Sequence, residues 1–184
     1  MLTNIALVLL VFLVALMAFV ATRPAEFRLV RSRTLAAAPE VVYAFVNDFH
    51  KWPAWSPWEK LDPTMKREIS GPSSGTGATY YWSGNSKAGE GRMTITDSRV
   101  PQSITIRLEF IKPWTATNTT QFDFAPKGSG TEVTWSMSGH NNFMAKAFSV
   151  FMNMEKMVGP DFEKGLASLD MATAAAKPSA TLGA

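Results

Sequence analysis

The sequence predicts an α+β fold in which a curved, seven-stranded antiparallel sheet wraps around one long C-terminal helix. Residues 104–110, 122–124 and 133–137 alternate between apolar and polar side chains. Such period-two alternation is typical of antiparallel strands with one buried face. A stripe of apolar residues at helical spacing then runs over residues 143–172, and it is rich in methionine. This predicted helix is the only later element large enough to cover the apolar face of the strands.

The chain begins with an apolar segment that we interpret as a single transmembrane helix. Residues 5–22 contain no charged residue, no glycine and no proline. As a helix they would span about 27 Å, close to the ~30 Å hydrocarbon core of a bilayer. A cleaved signal peptide is the alternative, but residues 1–4 hold no basic side chain and Phe19 occupies a position where a small residue is expected. We therefore predict an uncleaved anchor over residues 1–24.

The basic residues after this segment predict the orientation of the anchor. Arg23, Arg28, Arg31 and Arg33 all follow the apolar run, and no basic residue precedes it. By the positive-inside rule, the folded domain should face the cytoplasm. We therefore expect a single-pass protein of the cell membrane that contacts the bilayer through residues 5–22.

The folded domain is predicted over residues 25–172, followed by a flexible tail over residues 173–184. Alternation over residues 27–36 indicates a first strand, and the sequence Ala-Pro-Glu at 38–40 is suited to open a helix. Residues 48–63 hold several tryptophans and prolines, which favours short helical turns over a long helix. Further strands are predicted over residues 65–70, 78–83 and 92–97, with Gly- and Pro-containing turns between them.

The C-terminal helix carries Gly159-Pro160 in its middle. Proline cannot donate a backbone hydrogen bond within a helix, so we predict a kink or a restart at this point. A bent helix could follow a curved sheet and still leave space beneath it.

Composition excludes several classes of function. The 184 residues carry a net charge of only +3, and the arginines cluster at 23, 28, 31 and 33 instead of forming a face with interleaved aromatic residues, so we predict no nucleic-acid partner. The absence of cysteine excludes thiolate chemistry and cysteine-based metal sites. His50 and His140 are far apart and lack metal-ligand spacing, so we expect no metal and no cofactor.

The element order and several short motifs resemble the helix-grip superfamily, also called SRPBCC or START-like, and within it the polyketide cyclase/dehydrase-like group. The motifs lie at residues 38–43, 49–58, 75–78, 89–91, 118–120 and 161–166. The resemblance implies an apolar tunnel between the sheet and the C-terminal helix. It also implies that members bind lipids, steroids, polyketides or other hydrophobic molecules, and that only some are enzymes. It assigns no catalytic residue.

The candidate ligand-binding residues are the large apolar side chains expected inside the tunnel or at its mouth. For any one of them, ordinary core packing is the simpler interpretation. As a set, they predict a lining for an apolar ligand, and methionine makes such a surface adaptable. Met144, Met152 and Met157 belong to the same adaptable surface. The candidates are Trp55, Trp58, Tyr81, Phe110, Trp114, Phe122, Trp135, Met137, Met154, Val158 and Phe162.

These residues predict a membrane-anchored protein that binds a hydrophobic small molecule or lipid. One alternative is a polyketide cyclase or dehydratase that uses the same tunnel and moves a proton with one recessed polar group. Another is a ligand-sensing regulatory module with an unknown protein partner. Glu109 and Asp123 alternate with the apolar face and should point outward, whereas Glu59, Glu90 and Asp97 remain candidates for a general base.

Overall fold

The sheet consists of seven antiparallel strands, and all of them lie within the part of the chain that the structure describes. This computed structural model describes residues 2–141, 143–151 and 153–176. The strands are β1 (Glu26–Leu35), β2 (Lys66–Ser70), β3 (Thr79–Ser83), β4 (Glu90–Arg99), β5 (Ser103–Lys112), β6 (Ala116–Lys127) and β7 (Gly130–His140). Their order across the sheet is β1-β7-β6-β5-β4-β3-β2. The first strand therefore pairs with the last one at an edge of the sheet, and strands β2 to β7 follow one another as a meander.

The helices lie before and on top of this sheet. They are α1 (Leu2–Ala21), α2 (Pro39–Val46), α3 (Phe143–Phe151) and α4 (Met154–Ala175), with two short 3₁₀ helices at Phe49–Ala54 and Pro57–Lys60. The predicted fold class is confirmed: a curved antiparallel sheet holds a C-terminal helix, and an apolar helix precedes them.

The predicted alternation determines which face of the sheet is buried. Ile104, Ile106, Phe122 and Val133 are completely buried, whereas the residues between them on their strands are only partly buried or exposed. Apolar side chains at every second position therefore line one concave face, as period-two strands require. The helix α4 covers this face along β1, while α2 and the 3₁₀ helices cover its centre.

The long C-terminal helix is confirmed, but its predicted extent over residues 143–172 is wrong, because the chain forms two helices there. α3 ends at Phe151 and α4 begins at Met154. The Asn153 side chain accepts hydrogen bonds from the backbone amides of Glu155 and Lys156, which is the N-cap interaction that starts a new helix. Met152 lies outside the described residues.

The break predicted at Gly159-Pro160 is also wrong, since α4 continues through both residues. Gly159 has a different role, because a Cβ atom there would collide with the guanidinium of Arg31. Arg31 crosses α4 at this point and forms ion pairs with Glu155 at 2.9 Å and Glu163 at 2.8 Å. The absent side chain thus allows the edge strand β1 to hold the helix.

The far end of α4 is held to the same strand and extends beyond the predicted domain end at residue 172. Asp170 accepts a hydrogen bond of 3.0 Å from the backbone amide of Ala36. Thr173 is fully buried and donates to the carbonyl of Leu169. The helix therefore reaches Ala175, and residues 173–175 are not a tail. Residues 177–184 of the predicted tail lie outside the described residues.

Stacked aromatic rings join α4 to the sheet. The centroid of the Trp135 ring on β7 lies 4.1 Å from that of Phe162 on α4 and 4.7 Å from that of Phe122 on β6. Both pairs of rings are stacked. A Cβ atom on Gly165 would lie 2.7 Å from the Trp135 ring, so only glycine permits this approach. We call Trp135, Phe162 and Phe122 the aromatic stack.

We predict that Gly165→Ala lowers the free energy of unfolding by up to about 2 kcal/mol. Overpacking a core typically costs about 1 to 3 kcal/mol, and alanine recovers roughly 1 kcal/mol of helix propensity. Gly159→Ala is the comparison in the same helix: its Cβ atom would meet the end of the flexible Arg31 side chain, which can move at the cost of two partly exposed ion pairs, so the loss should be smaller than at Gly165. Guanidinium unfolding of the full chain in detergent, followed by tryptophan fluorescence, measures both. Equal losses for the two variants would contradict this account of Gly165.

Candidate ligand-binding groove

The centre of the concave face is filled by aromatic side chains. The Trp135 ring also forms T-shaped contacts with Trp55 and Trp58, with ring centroids 5.8 Å and 5.5 Å apart. Trp55, Trp135, Phe122 and Phe162 are almost completely buried. The predicted tunnel is therefore closed at this level, and these four candidates form packed core.

The concave face is less covered on either side of the stack. Leu108 and Met93 are neighbours across β5 and β4, and Phe110 packs edge-on against Trp82 at 6.1 Å. These side chains are only partly buried, although they contact the core. We call this partly covered region of the concave face, formed by Met93, Leu108 and Phe110, the concave groove. We assign Trp58 and Val158 to its helix side, because both come from the covering helices and are partly buried side chains that pack on the same core.

A buried amide lies beside this groove. Asn118 follows the register of the apolar positions on β6, opposite Leu108 on β5 and Gly139 on β7. Among the described residues, the partner of its Nδ2 atom is the sulfur of Met137 at 4.0 Å, a weak acceptor. The signal that could have found Asn118 is a polar residue at an apolar position of an alternating strand.

Two indole nitrogens at the aromatic stack also lack an acceptor. Within the described residues, Nε1 of Trp55 and Nε1 of Trp135 are buried without a hydrogen-bond partner. A buried donor without an acceptor costs about 1 to 3 kcal/mol. Together with Asn118, they place hydrogen-bonding capacity inside an otherwise apolar region.

The structure separates three predicted candidates from the groove. Tyr81 lies on the outer face of the sheet, because its neighbours Tyr80 and Trp82 on β3 point to the core. Trp114 is 67% exposed and Met154 is 43% exposed. By contrast, Met137 is buried beside Asn118, and Trp58, Phe110 and Val158 lie in the groove.

Two open pockets lie on the outer face of the sheet and are lined mostly by polar side chains. One includes Arg28, Gln121 and His140, and the other includes Tyr81, Arg92 and Arg107. Their polarity does not suit an apolar ligand.

A buried ionic cluster lies near the groove, on the β2 side of the sheet. Oε2 of Glu59 forms a 2.7 Å ion pair with Arg67. Oε1 of the same carboxylate accepts a 2.6 Å hydrogen bond from the Tyr80 hydroxyl. Burial, followed by the nearby Glu59 carboxylate, raises the pKa of Tyr80 well above its usual range. Each carboxylate oxygen of Glu59 therefore already has a partner within the protein.

The other titratable candidates lie at the surface. Glu90 pairs with Lys112 at 2.7 Å and accepts from Tyr81, and these contacts lower the pKa of Glu90. Asp97 pairs with Arg99, and the His50 ring bonds to Asp48. No cluster of His, Cys, Asp or Glu suited to a metal ion occurs among the described residues.

Comparison with known proteins now identifies the family. The model of the family described as polyketide cyclase / dehydrase and lipid transport matches residues 26–172, which include the whole sheet and most of α4. The chain belongs to this family. The resemblance inferred from the motifs is therefore confirmed, and the description of the family agrees with a helix-grip fold that binds ligands.

Solved structures agree on the fold at low sequence identity. A protein of unknown function, SA2116 from Staphylococcus aureus, is 11% identical and has a TM-score of 0.61, with 84% of this chain and 97% of that chain covered. The Aha1 dimer from Colwellia psychrerythraea is 16% identical, with a TM-score of 0.59 over 83% and 99% of the two chains. Protein CV1439 from Chromobacterium violaceum is 15% identical, with a TM-score of 0.57 over 82% and 97%. No curated protein matches the chain in sequence.

We predict that Tyr80→Phe destabilises the protein most strongly at neutral pH. Glu59 then loses a hydrogen bond to a buried charge, worth about 1.5 to 3 kcal/mol. Because the pKa of Tyr80 is higher in the folded chain than in the unfolded chain, the Tyr80 hydroxyl contributes its full stability to the fold below pH ~10, the usual tyrosine pKa. Above that pH the unfolded chain loses the proton first, and the contribution falls by at most about 1.4 kcal/mol per pH unit. The difference between the natural chain and the variant should therefore shrink above that pH.

Guanidinium unfolding of the full chain in detergent between pH 7 and 11 measures this difference. Tyr81→Phe is the control, because its hydroxyl bonds to Glu90 on the outer face, and it should cost less at neutral pH. A difference for Tyr80→Phe that stays constant up to pH 11 would contradict the prediction.

Proposed function

We propose that the protein is anchored in the cell membrane by α1 and binds a hydrophobic small molecule or lipid in the concave groove. The observation that supports this most directly is the groove itself, where large apolar side chains stay partly exposed on the concave face of the sheet. A ligand there would remove apolar surface from water, which is favourable by roughly 25 cal/mol per Å².

The chemistry beside the groove suggests a ligand with a polar end. The Asn118 amide, opposite Leu108, has no strong acceptor among the described residues. A ligand carbonyl, hydroxyl or carboxylate could supply that acceptor. A pure hydrocarbon would leave this donor without one, so it should bind less tightly.

The apolar helix supports the membrane location. Residues Thr3–Ala21 of α1 form the one helix among the described residues that is long and apolar enough to cross a membrane. Its side chains are almost all exposed, with 6% of the segment buried, so it is not a core helix of the domain. The basic residues after α1 favour a cytoplasmic domain.

The enzymatic alternative finds less support. A cyclase or dehydratase mechanism needs a recessed acid or base that is free to move a proton. Glu59 is the buried carboxylate nearest to that description, and both of its oxygens are engaged by Arg67 and Tyr80. We therefore favour binding over catalysis.

We predict that filling the groove blocks ligand binding. The full chain in phosphatidylcholine liposomes is photolabelled with palmitic acid that carries a diazirine, and the labelled peptides are mapped. Labels should appear within residues 90–112 of the domain as well as in α1. Leu108→Trp should reduce the labelling of the domain about tenfold and leave α1 unchanged, because the larger ring occupies the space of the ligand.

Val100→Trp is the control for this experiment, because Val100 is 72% exposed in the turn after β4, away from the groove. Val158→Trp narrows the groove from the helix side and should act like Leu108→Trp. Labels confined to α1, or full domain labelling in both groove variants, would overturn the proposal of a ligand in the groove.

We also predict that Asn118→Leu separates ligand recognition from folding. The fold should keep its stability within about 1 kcal/mol, because the amide gives up only a weak contact to the Met137 sulfur. Retention of palmitic acid should fall about tenfold relative to a matched hydrocarbon diazirine probe, since the carboxyl end loses a donor. An equal loss for both probes would show that Asn118 acts only through packing.

A further inference from the structure

We infer that the end of the domain next to α1 is a second membrane contact that rests on the bilayer surface. This inference rests on the proposed membrane anchor and adds an interaction surface to it. We call the surface the proximal rim; its members are Ile111, Trp114, Phe143, Met154 and Met157.

The connection between α1 and the sheet is short. α1 ends at Ala21 and β1 begins at Glu26, so residues 22–25 alone join them. Four residues extend over at most about 14 Å. The headgroup layer on one side of a bilayer is about 5 to 8 Å thick, so the start of β1 must lie at or just beyond the headgroups.

The connection is also packed against the domain. Val20 is only 5% exposed, although most side chains earlier in α1 are exposed. The Lys146 ammonium on α3 lies 3.5 Å from the carbonyl of Ala21, and the backbone amide of Asn141 donates to the carbonyl of Ala25 at 2.7 Å. α3 therefore lies beside the last turn of α1, at the depth where the membrane surface would be.

The register of the sheet brings the β5–β6 hairpin to the same end. Glu26 on β1 pairs with His140 on β7, and Gly139 pairs with Asn118 on β6. Two residues earlier on β6, Ala116 pairs with Phe110 on β5. The turn that carries Trp114 thus projects from the edge of the sheet that faces α1.

The elements that reach this end carry large exposed apolar side chains. Trp114 is 67% exposed, Met157 52%, Phe143 48% and Met154 43%, and Ile111, which alternates with Phe110 and so faces the outer side of the sheet, is 38% exposed. The other exposed large apolar side chains in the described part of the domain are Val30, Leu61, Val100 and Met171. Single apolar residues are normal on a protein surface, whereas several at one end next to a membrane anchor suit an interaction site.

The bilayer is the occupant that fits this patch. The patch continues directly from the end of α1, and tryptophan is enriched at membrane interfaces because its ring is amphipathic. Arg23 in the connection, Lys146 on α3 and Lys156 on α4 lie towards the same end, and basic side chains attract anionic headgroups. Contact of the proximal rim with lipid would place the mouth of the groove close to the acyl chains.

The absence of cysteine from the chain makes the test direct. Single cysteines are introduced by Trp114→Cys and Phe143→Cys, and the full chain carries the fluorophore NBD at that cysteine in liposomes of phosphatidylcholine with one fifth phosphatidylserine. We expect a blue-shifted emission and at least twofold quenching by lipids that carry a nitroxide near the headgroup. Val100→Cys is the control, because Val100 is equally exposed at the opposite end of the sheet.

A fourth label at Val11→Cys reports on the anchor alone. Quenching at 11, 114 and 143 but not at 100 would support the proximal rim as a membrane contact. Quenching at 11 without quenching at 114 and 143 would overturn the inference while leaving the anchor in place. Absence of quenching at 11 would refute the anchor, and the inference would fail with it.

Discussion

The stacking of Trp135 between the sheet and α4 is the interaction on which the rest of the architecture depends. One face of the ring contacts Phe162 on the helix, the other side contacts Phe122 on the sheet, and Gly165 permits the close approach. The 3₁₀ helices add the edges of Trp55 and Trp58. The helix, the sheet and the aromatic loop therefore meet at one ring, and the parts of the concave face beyond it keep some exposure.

The closed centre restricts the size and the position of a ligand. A channel along the full length of α4 would require the aromatic stack to open, which would expose several large rings to water. A ligand in the concave groove avoids that cost and still reaches polar groups at its edge. The ionic cluster of Glu59, Arg67 and Tyr80 contributes to the same rigidity, because its charge is compensated only while all three partners remain in place.

The order of elements and the buried face of each strand could be predicted from the sequence, since both follow from local periodicity. The break between α3 and α4 could not, because Gly159-Pro160 is a stronger local signal than Asn153. The tertiary contact of Arg31 with Glu155 and Glu163 holds α4 together across the glycine. The packing around the candidate site residues could not be predicted in this way: alternation places Trp135 on the buried face of its strand, but it does not show that Trp55, Phe122 and Phe162 close around its ring.

The four-residue connection after α1 also limits how the proposed protein could exchange its ligand. If α1 is retained as the membrane anchor that we propose, β1 begins within about 14 Å of the bilayer. A domain held in this way would not carry a molecule across an aqueous gap to a distant membrane, as a freely diffusing carrier can. Its ligands would come from the same bilayer or from a partner that reaches that membrane, and the frequency of such encounters would depend on the number of molecules per membrane area instead of per volume.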